Sequence, residues 1–243
     1  LVSSAASDVY KRQIVPSGAF LGEYKDLPRN ILFSDTPREQ DFRLQRAKGF
    51  AAQEFVRANQ IDKVIWKNNN AKLGIISAGK SYNDVLEAFR WLGIDEEKAK
   101  SMGIALYKVG MPWPLEPQGI REFCRGLDTV LVVEEKRELI EHQVKWQLYN
   151  WKENVRPTVI GKQDENGKWL LPAENDLPMQ TIIEVIAERI SKFNSDSAVI
   201  NQLDWFQKRN KSQEDINAPL NRKPFFCSGC PHNTSLMVPE GKR

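Results

Sequence analysis

Between residues 70 and 192 short β-branched apolar runs alternate with stretches whose apolar residues recur every three or four positions. Strands are expected at 73–77, 104–109, 129–133 and 156–160, separated by amphipathic helices. One helix carries Tyr82, Val85, Leu86, Phe89 and Leu92 on a single face and stops at Gly93. Others are expected at 117–126 and 137–150 (Ile140, Val144 and Leu148 inward), and in a last segment carrying Met179, Ile182, Ile183, Ile186 and Ile190. A continuous apolar run such as 129–133 suits a strand covered on both faces. The alternation therefore predicts a three-layer α/β/α fold with a mostly parallel sheet and right-handed crossovers.

Around this block the pattern changes. Residues 14–69 read as loop and connecting helix. That helix spans 37–60, with Leu44, Ala47, Ala51 and Phe55 as its stripe, and Thr36, Pro37 and Glu39 spell a capped start. Polarity rises over 193–223, which reads as a linker, and a second unit opens at 224. Residues 1–13 have no initiating Met, no charged leader and no apolar h-region, so they read as an artefactual N-terminus rather than a signal peptide. Both ends look cut, and the chain is expected to be an internal fragment.

With 35 basic and 32 acidic residues, net +3, there is no nucleic-acid footprint. No apolar run approaches the roughly 20 residues that span a bilayer, so no membrane partner is expected. Three cysteines are too few for a disulfide scaffold and point to a reducing, cytoplasmic compartment.

The chemistry-bearing pattern is Cys227-Ser228-Gly229-Cys230. Two thiols three residues apart, with small residues between, can converge on one soft metal centre. A zinc site or an iron–sulfur cluster needs about four ligands. Cys124 falls on the core face of a helix and reads as a packed thiol, and His232 adds at most one ligand. The pair is either half of a metal site or a redox couple. A second pattern, 74–81, spells G-x-x-x-x-G-K-S, as in a phosphate loop. Yet its apolar run continues through Ile75 and Ile76, which puts the first glycine inside a strand. Glu134 and Glu135 end a strand, and a solvated or interface role is expected for them rather than acid–base work. His142 falls on a polar helix face and reads as a surface residue. Most of the seven tryptophans read as packing residues.

The segment from Pro224 through Cys227, Ser228, Gly229, Cys230, Pro231, His232 and Asn233 to Ser235 resembles the opening of the thiamine-diphosphate domain in the 2-oxoacid:ferredoxin oxidoreductases, with Cys-Pro-His as in the indolepyruvate branch. Ser77 to Tyr82, Gly110 to Pro117 and Val132 to Lys136 are similar, in order and spacing, to that family's transketolase C-terminal-like domain. The resemblance implies a domain of that type over 70–192 and the truncated start of a thiamine-diphosphate-binding domain over 224–243. It also implies that Cys227 and Cys230 are metal ligands of a [4Fe–4S] cluster, with Gly229, Pro231 and His232 near the cofactor. Thiamine diphosphate, Mg2+ and the cluster are the implied cofactors. Coenzyme A, a 2-oxoacid, ferredoxin and other domains or subunits of the same enzyme are the implied partners. The implied activity is oxidative decarboxylation of an arylpyruvate such as indolepyruvate to an acyl-CoA, in the complete enzyme and not in this fragment. Two alternatives stay open: a phosphate-loop nucleotide enzyme using 74–81, and a zinc-ribbon interaction module using Cys227 and Cys230.

Overall fold

A computed structural model describes residues 13–30, 32–214 and 225–237. The chain divides into two compact units, Leu1–Trp205 and Phe206–Arg243. Residues 1–12 of the expected artefactual leader, 215–224 of the expected linker and second-unit start, and 238–243 lie outside the described residues.

After a short 3-10 helix at Ala19–Tyr24, the first unit has a helix of two parts, α1 (Pro37–Arg43) and α2 (Gly49–Ala58), joined through a wider turn at Leu44–Lys48. Its start follows the sequence. The Thr36 hydroxyl accepts the Glu39 N–H at 3.4 Å, and the Glu39 carboxylate accepts the Thr36 N–H at 2.7 Å, so each side chain satisfies a backbone donor that the helix leaves open. Arg43, buried, pairs with Asp35 just before the cap.

Five strands form one sheet in the order β1 (Lys63–Trp66), β3 (Ile104–Val109), β2 (Leu73–Ala78), β4 (Thr129–Val133), β5 (Thr158–Ile160). Strands β2 to β5 run parallel, and β1 joins β3 antiparallel at one edge, with an irregularity between Val64 and Trp66. The expected mostly parallel α/β architecture is the one observed. The stretch expected to be only loop and helix nevertheless contributes β1, and β5 covers only part of the expected 156–160.

Side-chain alternation along the strands feeds two helical layers. Gly74, Ile76, Ala105, Tyr107, Val130 and Val132 face α5 (Pro117–Cys124) and α6 (Ile140–Leu148), where they meet Ile120, Phe123, Cys124, Val144 and Leu148. On the other side α3 (Gly79–Trp91) packs on β2 and β4 and against α7 (Met179–Ser191), and Phe89 of α3 meets Trp66 at 4.7 Å between ring centroids. The short α4 (Glu96–Met102) leads into β3. It is capped by the Asp95 carboxylate on the Lys98 N–H at 2.8 Å and ended by Gly103 at φ +81°. The 193–223 segment, expected as a linker, contains an 18-residue helix, α8 (Ser197–Glu214). No helix among the described residues is long and apolar enough to cross a membrane.

Gly74 is where sheet and helix come closest. A Cβ placed there would stand 2.9 Å from Phe123 Cε1 and closer still to the Leu127 side chain. Gly74→Ala is therefore expected to cost about 1–3 kcal/mol of overpacking, read as a lower urea midpoint with an unchanged slope.

Candidate functional site

In a parallel sheet the strand C-termini gather on one edge, and here each of the three central strands hands over to a helix or loop. After β2, Gly79 (φ +55°) starts α3 at once, and Lys80 reaches Asp84 at 2.7 Å and Glu135 at 3.1 Å. These hydrogen bonds, the one to Asp84 first, raise the Lys80 pKa. All of 74–78 lies in β2, paired residue for residue with β3. No loop is left in which backbone N–H groups could wrap phosphates, so the phosphate-loop alternative does not fit this geometry.

After β3, the Gly110 and Met111 N–H groups donate to Asp62 Oδ1 at 2.7 and 3.2 Å. Burial raises the Asp62 pKa against these two bonds. The Pro-rich loop that follows is held from several sides. The Leu115 carbonyl accepts Gln53 Nε2 at 2.9 Å and Gln147 Nε2 at 3.2 Å, and Gln143 Oε1 accepts the Leu115 N–H at 2.8 Å. Glu116 caps α5 by accepting the Gln118 and Gly119 N–H groups at 2.9 and 2.7 Å. Arg57 Nη2, on α2, binds the same carboxylate at 2.6 Å. A loop so fully bonded is a rigid shelf.

After β4, the two adjacent glutamates part company. Glu135 stays partly exposed beside Lys80, as expected for a solvated residue. Glu134 does not. It is buried, and its carboxylate accepts the Leu139, Ile140 and Glu141 N–H groups at 3.1, 2.8 and 3.0 Å, which caps α6 from five residues upstream. Its backbone carbonyl accepts Lys162 Nζ at 2.5 Å, and Lys162 also donates to the Pro172 carbonyl at 3.0 Å. Glu141 closes the ring by accepting the Lys162 N–H at 2.8 Å and Lys145 Nζ at 2.6 Å. Gly161 is required here, since the Glu141 carboxylate fills the space that a Cβ would take. Desolvation raises the Glu134 pKa and lowers that of Lys162. With three donors on its carboxylate, Glu134 is locked as a cap and unavailable as an acid or base. Of the solvated or interface role expected for it, burial overturns the solvated part. Lys162, Glu141 and Asp62 were not singled out by the sequence. Their only signals were charges set in or beside apolar runs.

Within the second unit Cys227 and Cys230 stand on a tight turn. Gly229 has φ +78°, the Cys230 N–H donates to the Cys227 carbonyl at 3.0 Å, and Asn233 Nδ2 donates to the same carbonyl at 3.1 Å. Pro231 leads into a helical turn, His232–Ser235. His232 Nδ1 lies 3.2 Å from Cys230 Sγ, and its ring stacks on Phe226 at 5.2 Å. Both thiols are free, Cys227 exposed and Cys230 partly so. Among the described residues no group of three or more His, Cys, Asp or Glu side chains is arranged to hold a metal ion. Cys124, expected to be a packed thiol, is fully buried, and desolvation pushes its pKa up to about 12. His142 is exposed, as expected, 3.9 Å from Glu138.

A family profile described as "Indolepyruvate oxidoreductase domain" matches residues 63–213. The chain belongs to the indolepyruvate oxidoreductase family. Family relatives include "Indolepyruvate oxidoreductase subunit IorA" of Pyrococcus horikoshii, 34% identical over 171 residues, and that of Thermococcus kodakarensis, 32% identical over 169 residues. Each match covers 70% of this chain and 23% of the relative, so the chain spans about a quarter of the length of these curated relatives. Solved structures are similar at lower levels. A 2-oxoglutarate:ferredoxin oxidoreductase from Magnetococcus marinus gives TM-score 0.41 at 15% identity, covering 64% of this chain and 24% of that one. A split-gene transketolase gives TM-score 0.37 at 13% identity, covering 55% and 42%.

Because folding raises the Glu134 pKa, the folded chain binds more protons there than the unfolded chain, and this contribution to stability shrinks as pH rises through the folded value. Glu134→Gln, which gives up part of the cap, is expected to cost about 1–3 kcal/mol. The wild type's advantage over the variant should be larger at pH 5 than at pH 7 in paired denaturant titrations.

Proposed function

We propose that this chain is the segment of an indolepyruvate oxidoreductase subunit in which a rigid α/β unit is followed by the first ligands of a cofactor domain. In the complete enzyme the reaction is oxidative decarboxylation of indolepyruvate or a related arylpyruvate to its acyl-CoA, with reduction of ferredoxin. The family match over 63–213 carries this reading, and the thiol turn beyond it supports the chemistry. The relatives' name supplies indolepyruvate, and the resemblance of the thiol segment supplies ferredoxin and coenzyme A.

Two sulfur donors on a glycine turn, free of any disulfide, fit half of a four-thiolate set. On this reading Cys227 and Cys230 bind two corners of a [4Fe–4S] cluster, and Gly229, Pro231 and His232 line the approach to thiamine diphosphate and its Mg2+. When bound, thiamine diphosphate supplies the decarboxylation chemistry and the cluster supplies one-electron transfer. The chain's own residues set geometry. Gly229 in the left-handed region lets the turn close, the Cys230 N–H fixes the spacing of the thiols, and Asn233 ties the following helical turn back to Cys227. His232, held against Phe226, keeps Nδ1 within hydrogen-bond reach of Cys230 Sγ and so can orient that sulfur as a ligand. In the first unit Glu134 is committed as a cap and Lys162 donates to carbonyls, so neither is free to act as acid or base. The unit's role is to present a stiff edge to the rest of the enzyme, and the isolated chain has no turnover.

The test is made in the complete enzyme. Cys227→Ser and Cys230→Ser are each expected to remove one cluster, about four irons per subunit, together with its low-temperature electron paramagnetic resonance signal. Indolepyruvate-dependent electron delivery should fall with it. Unchanged iron would remove the ligand assignment, and stoichiometric zinc in its place would favour the zinc-ribbon module. Preserved iron chemistry without turnover on any arylpyruvate would remove the substrate assignment.

A further inference from the structure

A concavity outside the edge described above lies at the opposite end of the sheet, where β4 and β5 begin. A cavity of about 850 Å3 opens there between the turn after α5 and the turn before β5. Its size is in the range of small-molecule sites. Its lining is unusual in charge. Arg121, Arg125, Lys152 and Arg156 surround it, and Asp128 is its one acidic residue. Asp128 is already engaged, by Lys72 Nζ at 3.1 Å. Arg156 is aimed by its own hydrogen bond to the Tyr149 carbonyl at 2.8 Å. Among the described residues Arg121, Arg125 and Lys152 have no side-chain hydrogen bond or ion pair.

The dipole of α5 accounts for part of this. Arg121 and Arg125 sit at that helix's C-terminal end, where a cation is favoured by about 0.3–1 kcal/mol. Lys152 and Arg156 belong to a different segment and gain nothing from it. Their turn is set by the Val155 and Arg156 N–H groups, both donating to the Lys152 carbonyl at 3.0 Å. Between the two cationic rims the wall is apolar and partly flat: Leu127 is buried, Val155 is exposed, and Trp151 is half-buried against the core cluster. Four exposed cations, three of them without a partner among the described residues, around an indole and two aliphatic side chains match a ligand that carries two or more negative charges on a planar ring system.

We infer that this cavity is a binding site for a nucleoside diphosphate moiety, its phosphates among Arg121, Arg125, Lys152 and Arg156 and its base against Trp151. The site is made by the first unit alone and stands independently of the cluster and thiamine assignments. It faces away from the strand C-termini, so its ligand acts at a distance from the edge formed by Gly79, Gly110 and Glu134. The probes are ADP, adenosine and pyrophosphate, titrated calorimetrically into the 243-residue chain. Saturable ADP binding is expected, with adenosine and pyrophosphate each at least about tenfold weaker. Arg121→Glu with Arg125→Glu should weaken ADP at least about tenfold, while the charge-matched pair Arg38→Glu with Lys168→Glu, on exposed residues elsewhere, should leave it unchanged. Absence of saturable ADP binding overturns the proposal. So does an equal loss in both double variants, which would reduce the effect to bulk charge, and so does pyrophosphate binding as tightly as ADP, which would leave a basic patch with no place for a ring.

Discussion

Three backbone N–H groups converge on one carboxylate at the end of the fourth strand, and the geometry of the strand C-terminal edge depends on that convergence. A helix that begins inside a protein leaves its first donors without partners, and burying them unpaired would cost more than most single contacts return. Glu134 supplies the missing acceptor from just before the helix, and Lys162, from beyond the fifth strand, binds the carbonyl of the same residue. Strand, helix and the next crossover thus meet in one hydrogen-bonded knot in which positive and negative groups are both desolvated. Such a knot is costly to disturb in part, because each member would leave the others buried and unmatched.

Much of the fold could be read before the structure was known, for reasons visible in individual residues. The Thr36–Glu39 cap is a local device, complete within four positions, and it forms as read. The runs at 104–109 and 129–133 announce themselves because both faces of those strands are covered, leaving no polar alternation to blur them. What escaped notice was short or non-local. Lys63–Trp66 offers only four residues, one a lysine, and becomes a strand because β3 presents an open edge to it. The helix Glu96–Met102 buries only Ala99 and Met102, too little for a periodic signal, although Asp95 and Gly103 mark its two ends. Polarity over 193–223 concealed the helix at 197–214.

The site was legible to a different degree. The cysteine turn could be found because its chemistry is packed into six consecutive residues. Glu134 could not be told from Glu135 by any local rule, since neighbours on a strand end diverge and only the position of α6 decides which is capped over. Gly74 is a related case. In the sequence it opens a phosphate-loop pattern; in the fold its missing side chain makes room for Phe123 and Leu127. The same residue type answers two unrelated demands, close approach to a ligand and close approach to a helix, and only tertiary packing separates them.

The edges of the sheet carry a final consequence. On one side the last strand is four residues long, antiparallel and broken in register after Val64; on the other it is three residues long. Neither border exposes enough straight backbone to template another strand. A neighbouring domain or subunit therefore cannot be recruited by continuing the ladder, and must recognise this unit through side chains on its helices and turns. Recognition of this unit then rests on surface chemistry, which can change while the sheet beneath stays the same.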